Sequence, residues 1–220
     1  MPRPILIDLY FTLIEPDPAL QWFNSSAQLL GVTPAALRDA SMPSFNDRMI
    51  GTMTTPEQVI DHALAELGRS VDPETYARLV ALRWDFFHGL RIYPDVLPAL
   101  TTLRQRGHAL ALVTNCSAET EVALDRLELR PLFDVLALSS SIKAAKPDPA
   151  IYQHAIDGLG IDPASAVYVG DGDTEEHAGA AHFKMTTVLL SRPGATVRNV
   201  AADYTIASLL ELLDLPALQQ

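Results

Sequence analysis

Three short apolar runs end on polar side chains able to do chemistry, and the loop after a fourth leads to another. Asp8 lies in ILIDLYFTLIEPD, Thr114 and Asn115 follow HALALV, Lys146 sits in KAAKPDPAIY, and Asp171 follows VYVG in VYVGDGDTEE. A carboxylate at a strand end, followed by an apolar residue, a polar one and a Thr, is the setting of a nucleophile. Tyr10, two places on, stands where a second carboxylate is expected. Taken singly, each polar residue reads more simply as a turn or helix cap. Four of them in chain order, all at one edge of one sheet, are much harder to reach by chance.

The elements that must position them follow from the pattern. Residues 5–9, 108–114, 135–138, 166–170 and 185–190 are short apolar runs ending in polar residues or Gly, as buried parallel strands do. Helical spacing separates most of them: Val96, Leu97, Leu100 and Leu103 share one face before Gly107, and Ile151, Tyr152, Ala155, Ile156 and Leu159 share one before Gly160. Strand and helix in turn predict an α/β fold, a doubly wound, Rossmann-like parallel sheet. Residues 15–90 break the rhythm. They show no strand and four helix starts of the form cap residue then Pro: Asp17-Pro18, Thr33-Pro34, Thr55-Pro56 and Asp72-Pro73. Thr55 and Gln58 complete a capping box, with Val59, Ile60, Ala63, Leu64 and Leu67 on one face before Gly68. The expected organisation is therefore a core domain of 1–14 and 91–220 with a helical cap of 15–90. Ligands of open parallel sheets bind at the carboxyl ends of the strands, so an insertion directly after strand one covers the site.

Composition limits the partners. Apolar residues make up 48% of the 220, and no stretch reaches the roughly 20 uninterrupted apolar residues of a membrane span. The N-terminus runs straight into a strand with no apolar signal region, and the single Cys116 has no internal disulfide partner, which together predict a cytoplasmic protein. A net charge of −11 repels polyanions and argues against nucleic acid. A small anionic ligand needs a local cation, and a metal ion is an economical source of one.

On these residues the chain resembles the haloacid dehalogenase-like (HAD) hydrolase superfamily, most of whose members are phosphatases, over nearly its whole length. The resemblance implies Asp8 as nucleophile, the Thr114 hydroxyl and Lys146 as holders of the transferred group, and Asp171 and Glu176 as metal-binding acids, Glu176 replacing the usual Asp. It implies Mg²⁺ as cofactor and a small phosphorylated substrate. Magnesium prefers octahedral oxygen ligands, of which Asp8, the Tyr10 carbonyl and Asp171 can supply three. Only the backbone of Tyr10 is used there. Its side chain instead replaces the family's general acid, and a phenol with a pKa near 10 is a poor base at neutral pH.

The main rival is a metal-independent 2-haloacid dehalogenase, whose family members also carry a Tyr after the nucleophile. Against it, residues 15–37 hold no Arg or Lys to receive a halide early in the cap, and Gly170-Asp171 is present. A phosphonoacetaldehyde hydrolase needs a cap Lys, and no Lys precedes Lys143. A binding protein that has lost turnover through Tyr10 is a third reading. A dinucleotide-binding turn is excluded, since GDGDTEEHAG is not GxGxxG and its four acids repel a pyrophosphate. Asn115, Arg48 and Lys143 are further candidates for substrate binding, with a solvated surface position as the plain alternative for the two cations. Cys116, His177, His182 and the cap aromatics Trp22, Phe23, Trp84, Phe86 and Phe87 read best as packing residues, with one of the aromatics a possible pocket lining.

Overall fold

The computed structural model describes residues 2–194 and 198–218. In chain order the strands are β1 (Ile5–Ile7), β2 (Ile14–Pro16), β3 (Leu90–Ile92), β4 (Leu110–Thr114), β5 (Val135–Leu138), β6 (Val167–Gly170), β7 (Thr186–Leu190) and β8 (Tyr204–Ile206). Six of them form one parallel sheet in the order β5-β4-β1-β6-β7-β8. The winding direction therefore reverses at β1, whose neighbours β4 and β6 leave its carboxyl end facing an open crevice.

Period-two alternation divides the sheet's apolar residues between two cores. Ile5, Ile7, Leu112, Val169 and Val188 pack on one face with Val96, Ala99, Leu100 and Leu103. Leu6, Ala111, Val113 and Tyr168 pack on the other with Ile151, Tyr152, Ala155 and Ile156. Both faces are covered, so the strands read as unbroken apolar runs rather than alternating ones.

Between β2 and β3 lie five helices: α1 (Trp22–Leu30), α2 (Pro34–Ser41), α3 (Phe45–Met49), α4 (Pro56–Glu66) and α5 (Pro73–His88). They close a third core of their own around Leu37, Ile60, Leu64 and Leu79. Three of the expected starts are built as read. Thr33 caps α2 through Ala36 N, Thr55 and Gln58 form the capping box of α4, and Asp72 caps α5 through Thr75 N. The fourth is different. Asp17-Pro18 makes a turn in which the Asp17 carboxylate accepts from Ala19 N at 2.9 Å, and α1 begins only at Trp22.

The sheet domain continues with α6 (Val96–Gln105), α7 (Thr120–Arg126), α8 (Ser139–Ile142), α9 (Pro149–Leu159) and α10 (Glu176–His182). On α6 the inward stripe is Val96, Ala99, Leu100 and Leu103, while Leu97, expected inward, is 45% exposed. The insertion is flanked by an unexpected antiparallel ribbon, Ile14 opposite Ile92 and Pro16 opposite Leu90. Three-residue strands with half-exposed positions carry too little periodicity to be read from sequence, and the same holds for β8.

Candidate active site

The site grows from the end of β1. Asp8 extends the strand pairing by one residue, its N–H donating to Val169 O at 2.9 Å, and the residue is only 5% exposed. The chain then turns back sharply. Phe11 takes φ 58°, and Leu13 N and Ile14 N both donate to Leu9 O. This turn returns Thr12 to Asp8, and the Thr12 hydroxyl donates to Asp8 Oδ2 at 3.1 Å.

Lys146 reaches the same carboxylate from the loop after α8. Its ammonium donates to Asp8 Oδ1 at 2.5 Å, Glu176 Oε2 at 2.5 Å and the Tyr168 hydroxyl at 3.1 Å, which uses its three protons. Asn115, just past β4, clamps the Lys146 backbone from both sides: Nδ2 donates to Lys146 O at 3.0 Å, and Oδ1 accepts from Lys146 N at 2.6 Å. Glu176, at the start of α10, accepts from Tyr168 Oη at 2.7 Å and from Gly172 N at 2.9 Å. Glycine is required at Gly170, because a Cβ there would stand 2.0 Å from Glu176 Oε1.

Asp171 completes the edge. Asp8, Asp171 and Glu176 offer carboxylate oxygens that all lie within 4.8 Å of one another. Burial pushes the Asp8 carboxyl up to about 7, with Lys146 opposing and Glu176 reinforcing the rise. Burial and then Glu176 raise Asp171 as well, against Arg198. Glu176 is held below the usual range: burial works against it, but Lys146, Tyr168 and Gly172 N outweigh that cost. Asp8 and Glu176 share the Lys146 ammonium, and Asp171 shares the Arg198 guanidinium with Asp173, so four acids meet two cations, an excess of negative charge that a divalent cation balances. The donor set of hard carboxylate oxygens fits Mg²⁺.

Above this edge is a cavity of about 270 Å³. Asp8, Asn115, Lys146, Asp171 and Glu176 form its floor, and Trp22, Phe23, Phe45, Phe86, Phe87 and Arg48 from the insertion form much of its wall, with Phe11 beside them. Of the aromatics expected in the cap core, Trp22, Phe23, Phe86 and Phe87 therefore face the cavity. Tyr10 also lines it; its hydroxyl lies 2.9 Å from Thr120 Oγ1, and burial holds the phenol above its ordinary pKa. Thr114 is fully buried behind the floor, and its hydroxyl makes a long 3.4 Å bond to Asn115 O. Lys143 does not line the cavity; its ammonium donates to Gly51 O at 2.6 Å, tying the insertion to the sheet domain. Cys116 is a buried wall residue whose thiol is pushed up by burial, and His177 is buried with Nε2 3.1 Å from Val188 O.

Sequence reading missed the Arg83–Glu119 pair. Arg83 Nε donates to Glu119 Oε1 at 2.7 Å, with both side chains almost fully enclosed, and Arg83 lies over the rings of Trp22 and Phe87. Its signal was present: Leu79, Arg83 and Phe87 are four apart, so Arg83 is a charged residue on a buried helical stripe. Thr12 and Tyr168 were also missed, since a hydroxyl within an apolar run has no distinguishing spacing.

Comparison with known proteins agrees with this arrangement. The family model described as haloacid dehalogenase-like hydrolase matches residues 22–182. A glyceraldehyde 3-phosphate phosphatase of Methanopyrus kandleri is 36% identical over 134 residues, 60% of this chain and 58% of that protein. An (S)-2-haloacid dehalogenase 4A of Burkholderia cepacia is 30% identical over 198 residues, 87% of this chain and 84% of that one. The crystal structure of a 2-haloacid dehalogenase from Pseudomonas syringae pv. tomato superposes with a TM-score of 0.72 at 26% identity, covering 97% of both chains. Site, sheet order and sequence together show that the chain belongs to the haloacid dehalogenase-like hydrolases.

Proposed function

We propose that this hydrolase is a magnesium-dependent phosphatase of small phosphorylated metabolites, acting through an aspartyl-phosphate on Asp8 beneath a cap formed by residues 15–90. The observation that carries the reading is the acidic edge itself: Asp8, Asp171 and Glu176 converge within 4.8 Å of one another, while Lys146 serves two of them and Arg198 divides its charge between Asp171 and Asp173, which leaves the floor short of positive charge. A metal-independent dehalogenation has no use for that charge. Asp8, Asp171 and the Tyr10 carbonyl would hold the ion, with Glu176, already engaged by Lys146 and Tyr168, behind them through water. When bound, the ion supplies charge neutralisation for the phosphoryl oxygens.

The residues do the rest. Lys146, held by its Asn115 clamp, turns the N–H donated to Asp8 toward a phosphoryl oxygen as Asp8 attacks. An Asp8 oxygen attacks phosphorus, and the bond from phosphorus to the ester oxygen breaks with its electron pair on the leaving group. Water then attacks the phosphorus of phospho-Asp8, and inorganic phosphate leaves with Asp8 restored. Tyr10 keeps its proton at neutral pH, so it orients the leaving oxygen without serving as the base. The single, buried Cys116 suits a reducing compartment, and we place the enzyme in the cytoplasm.

One observation favours the dehalogenase reading: the cavity wall is largely aromatic and the acid expected beside the nucleophile is a Tyr. Assaying phosphate esters and 2-haloacids with and without a chelator separates the two. Phosphate release that stops when divalent metal is removed is the expected result. Halide release that survives chelation would establish the rival.

A further inference from the structure

Three cations line the cavity, and two have acidic partners within the protein. Lys146 is held by Asp8 and Glu176, and Arg83 by Glu119. Arg48, on α3, has none. No carboxylate among the described residues lies within ion-pair distance of it, and its guanidinium makes only long bonds to Ser44 O at 3.4 Å and Ser41 O at 3.2 Å. Its remaining N–H donors are left to the cavity that it lines. Its surroundings solvate charge poorly: the Phe45 ring lies 5.5 Å away, and Phe23, Phe86 and Phe87 complete the wall. Burial and then the charge of Arg83 push the Arg48 guanidinium down to about 10, so it is still a cation at neutral pH.

Two guanidiniums therefore share one carboxylate, leaving this wall with one positive charge in excess. A half-buried cation without a counter-ion is costly, and a ligand anion removes the cost. That anion is not the reacting group. Arg48 faces the cavity from α3 of the insertion, among aromatic side chains, whereas Asp8 faces it from the edge of the sheet beside Lys146. An excess of one charge matches a carboxylate, whose two oxygens also fit the planar guanidinium fork. A second phosphate dianion would leave a net negative charge among aromatic rings.

We propose that Arg48 recognises a carboxylate at the end of the substrate remote from Asp8, and that the substrate is a small acid with an apolar, ring-compatible body seated between them. The cavity, about 270 Å³, lies at the small end of ligand sites and admits such a molecule. Arg83, by holding Glu119, leaves Arg48 without an internal acid.

The inference rests on Asp8 as the reacting carboxylate, and the test separates the two ideas. Benzoate, which has no phosphate to lose, is titrated calorimetrically into native protein, Arg48→Gln and Arg48→Lys. Hydrolysis of 3-carboxyphenyl phosphate is compared with that of phenyl phosphate in the same proteins. Native protein is expected to bind benzoate, and Arg48→Gln to weaken that binding and cut the selectivity for the carboxylated ester by roughly 10 to 100-fold, the range of a charge-assisted contact. Arg48→Lys, which keeps charge but loses the fork, is expected to restore part of both and guards against a folding defect in the Gln variant. Benzoate that fails to bind native protein, or binds both variants as tightly as native, overturns the proposal. So does a selectivity ratio that Arg48→Gln leaves unchanged. Arg48-dependent benzoate binding in a protein that releases phosphate from neither ester would sink the phosphatase reading and leave the Arg48 assignment standing.

Discussion

The floor and the wall of the cavity are built on opposite terms. On the floor, the ammonium of Lys146 is saturated by Asp8, Glu176 and Tyr168, and each of these groups is fixed by a strand end, a helix start or a clamped loop. On the wall, aromatic side chains of α1, α3 and α5 surround one matched ion pair, Arg83–Glu119, and one unmatched cation, Arg48. Backbone geometry sets the floor, so its distances are short and its partners few. Side chains on separate helices set the wall. On the proposed reading the contrast separates reaction from selectivity: the floor would carry the displacement and the wall would choose the ester.

The largest effect should come from breaking the floor. Asp8→Asn removes the proposed nucleophile and a charge that would attract the metal, and phosphate release by the purified variant should fall by on the order of 10⁴-fold or more. Readily measured residual turnover would show that another group attacks.

A sharper test uses the place where floor and wall meet. Tyr10 cannot protonate a leaving oxygen as a carboxylic acid does, so native protein should favour aryl and acyl phosphates, which leave without a proton, over alkyl phosphates. Tyr10→Asp should then raise alkyl phosphate hydrolysis by up to roughly 10² to 10⁴-fold and change aryl hydrolysis little. Stability and magnesium affinity are measured alongside, because a smaller side chain leaves a void and a second carboxylate near Asp8 adds repulsion. If native protein handles both ester classes equally and a folded, metal-binding Tyr10→Asp gains nothing, the acid lies elsewhere.

The smallest expected effect on chemistry, though not on stability, is at the matched pair of the wall. Arg83→Met leaves Glu119 buried and unpaired, which should cost about 3–5 kcal/mol in denaturant unfolding. The double variant Arg83→Met, Glu119→Leu should recover most of that loss, since the uncompensated charge is gone. Equal stability of the single and double variants would mean that the unpaired charge of Glu119 is not the source of the loss.

Much of the floor was legible because it depends on chain order. Asp8, Asn115 and Asp171 each follow an apolar run and Lys146 lies in the loop after another, and parallel strands must deliver such residues to one edge. The wall was less legible. Trp22, Phe23, Phe86 and Phe87 look alike whether they fill a core or face a ligand, and Arg83 gave itself away only by its place on a buried stripe. Leu97 points outward while Ala99 points inward because α6 is oriented by its fit to the sheet, not by the hydrophobicity of each residue.

The sequence by itself determined the fold class, the order in which chemistry reaches the sheet edge and the presence of a helical insertion after β1, because periodicity, capping and chain order are local or topological properties. Only the tertiary structure decided that Lys146 is shared between Asp8 and Glu176, that Lys143 turns to Gly51 instead of the cavity, and that Arg83 takes Glu119 and leaves Arg48 without an acid. The physical reason is reach. A charged side chain is neutralised by whatever lies within a few ångströms in space, and residues 36 or 138 positions apart become neighbours only when the chain has closed on itself.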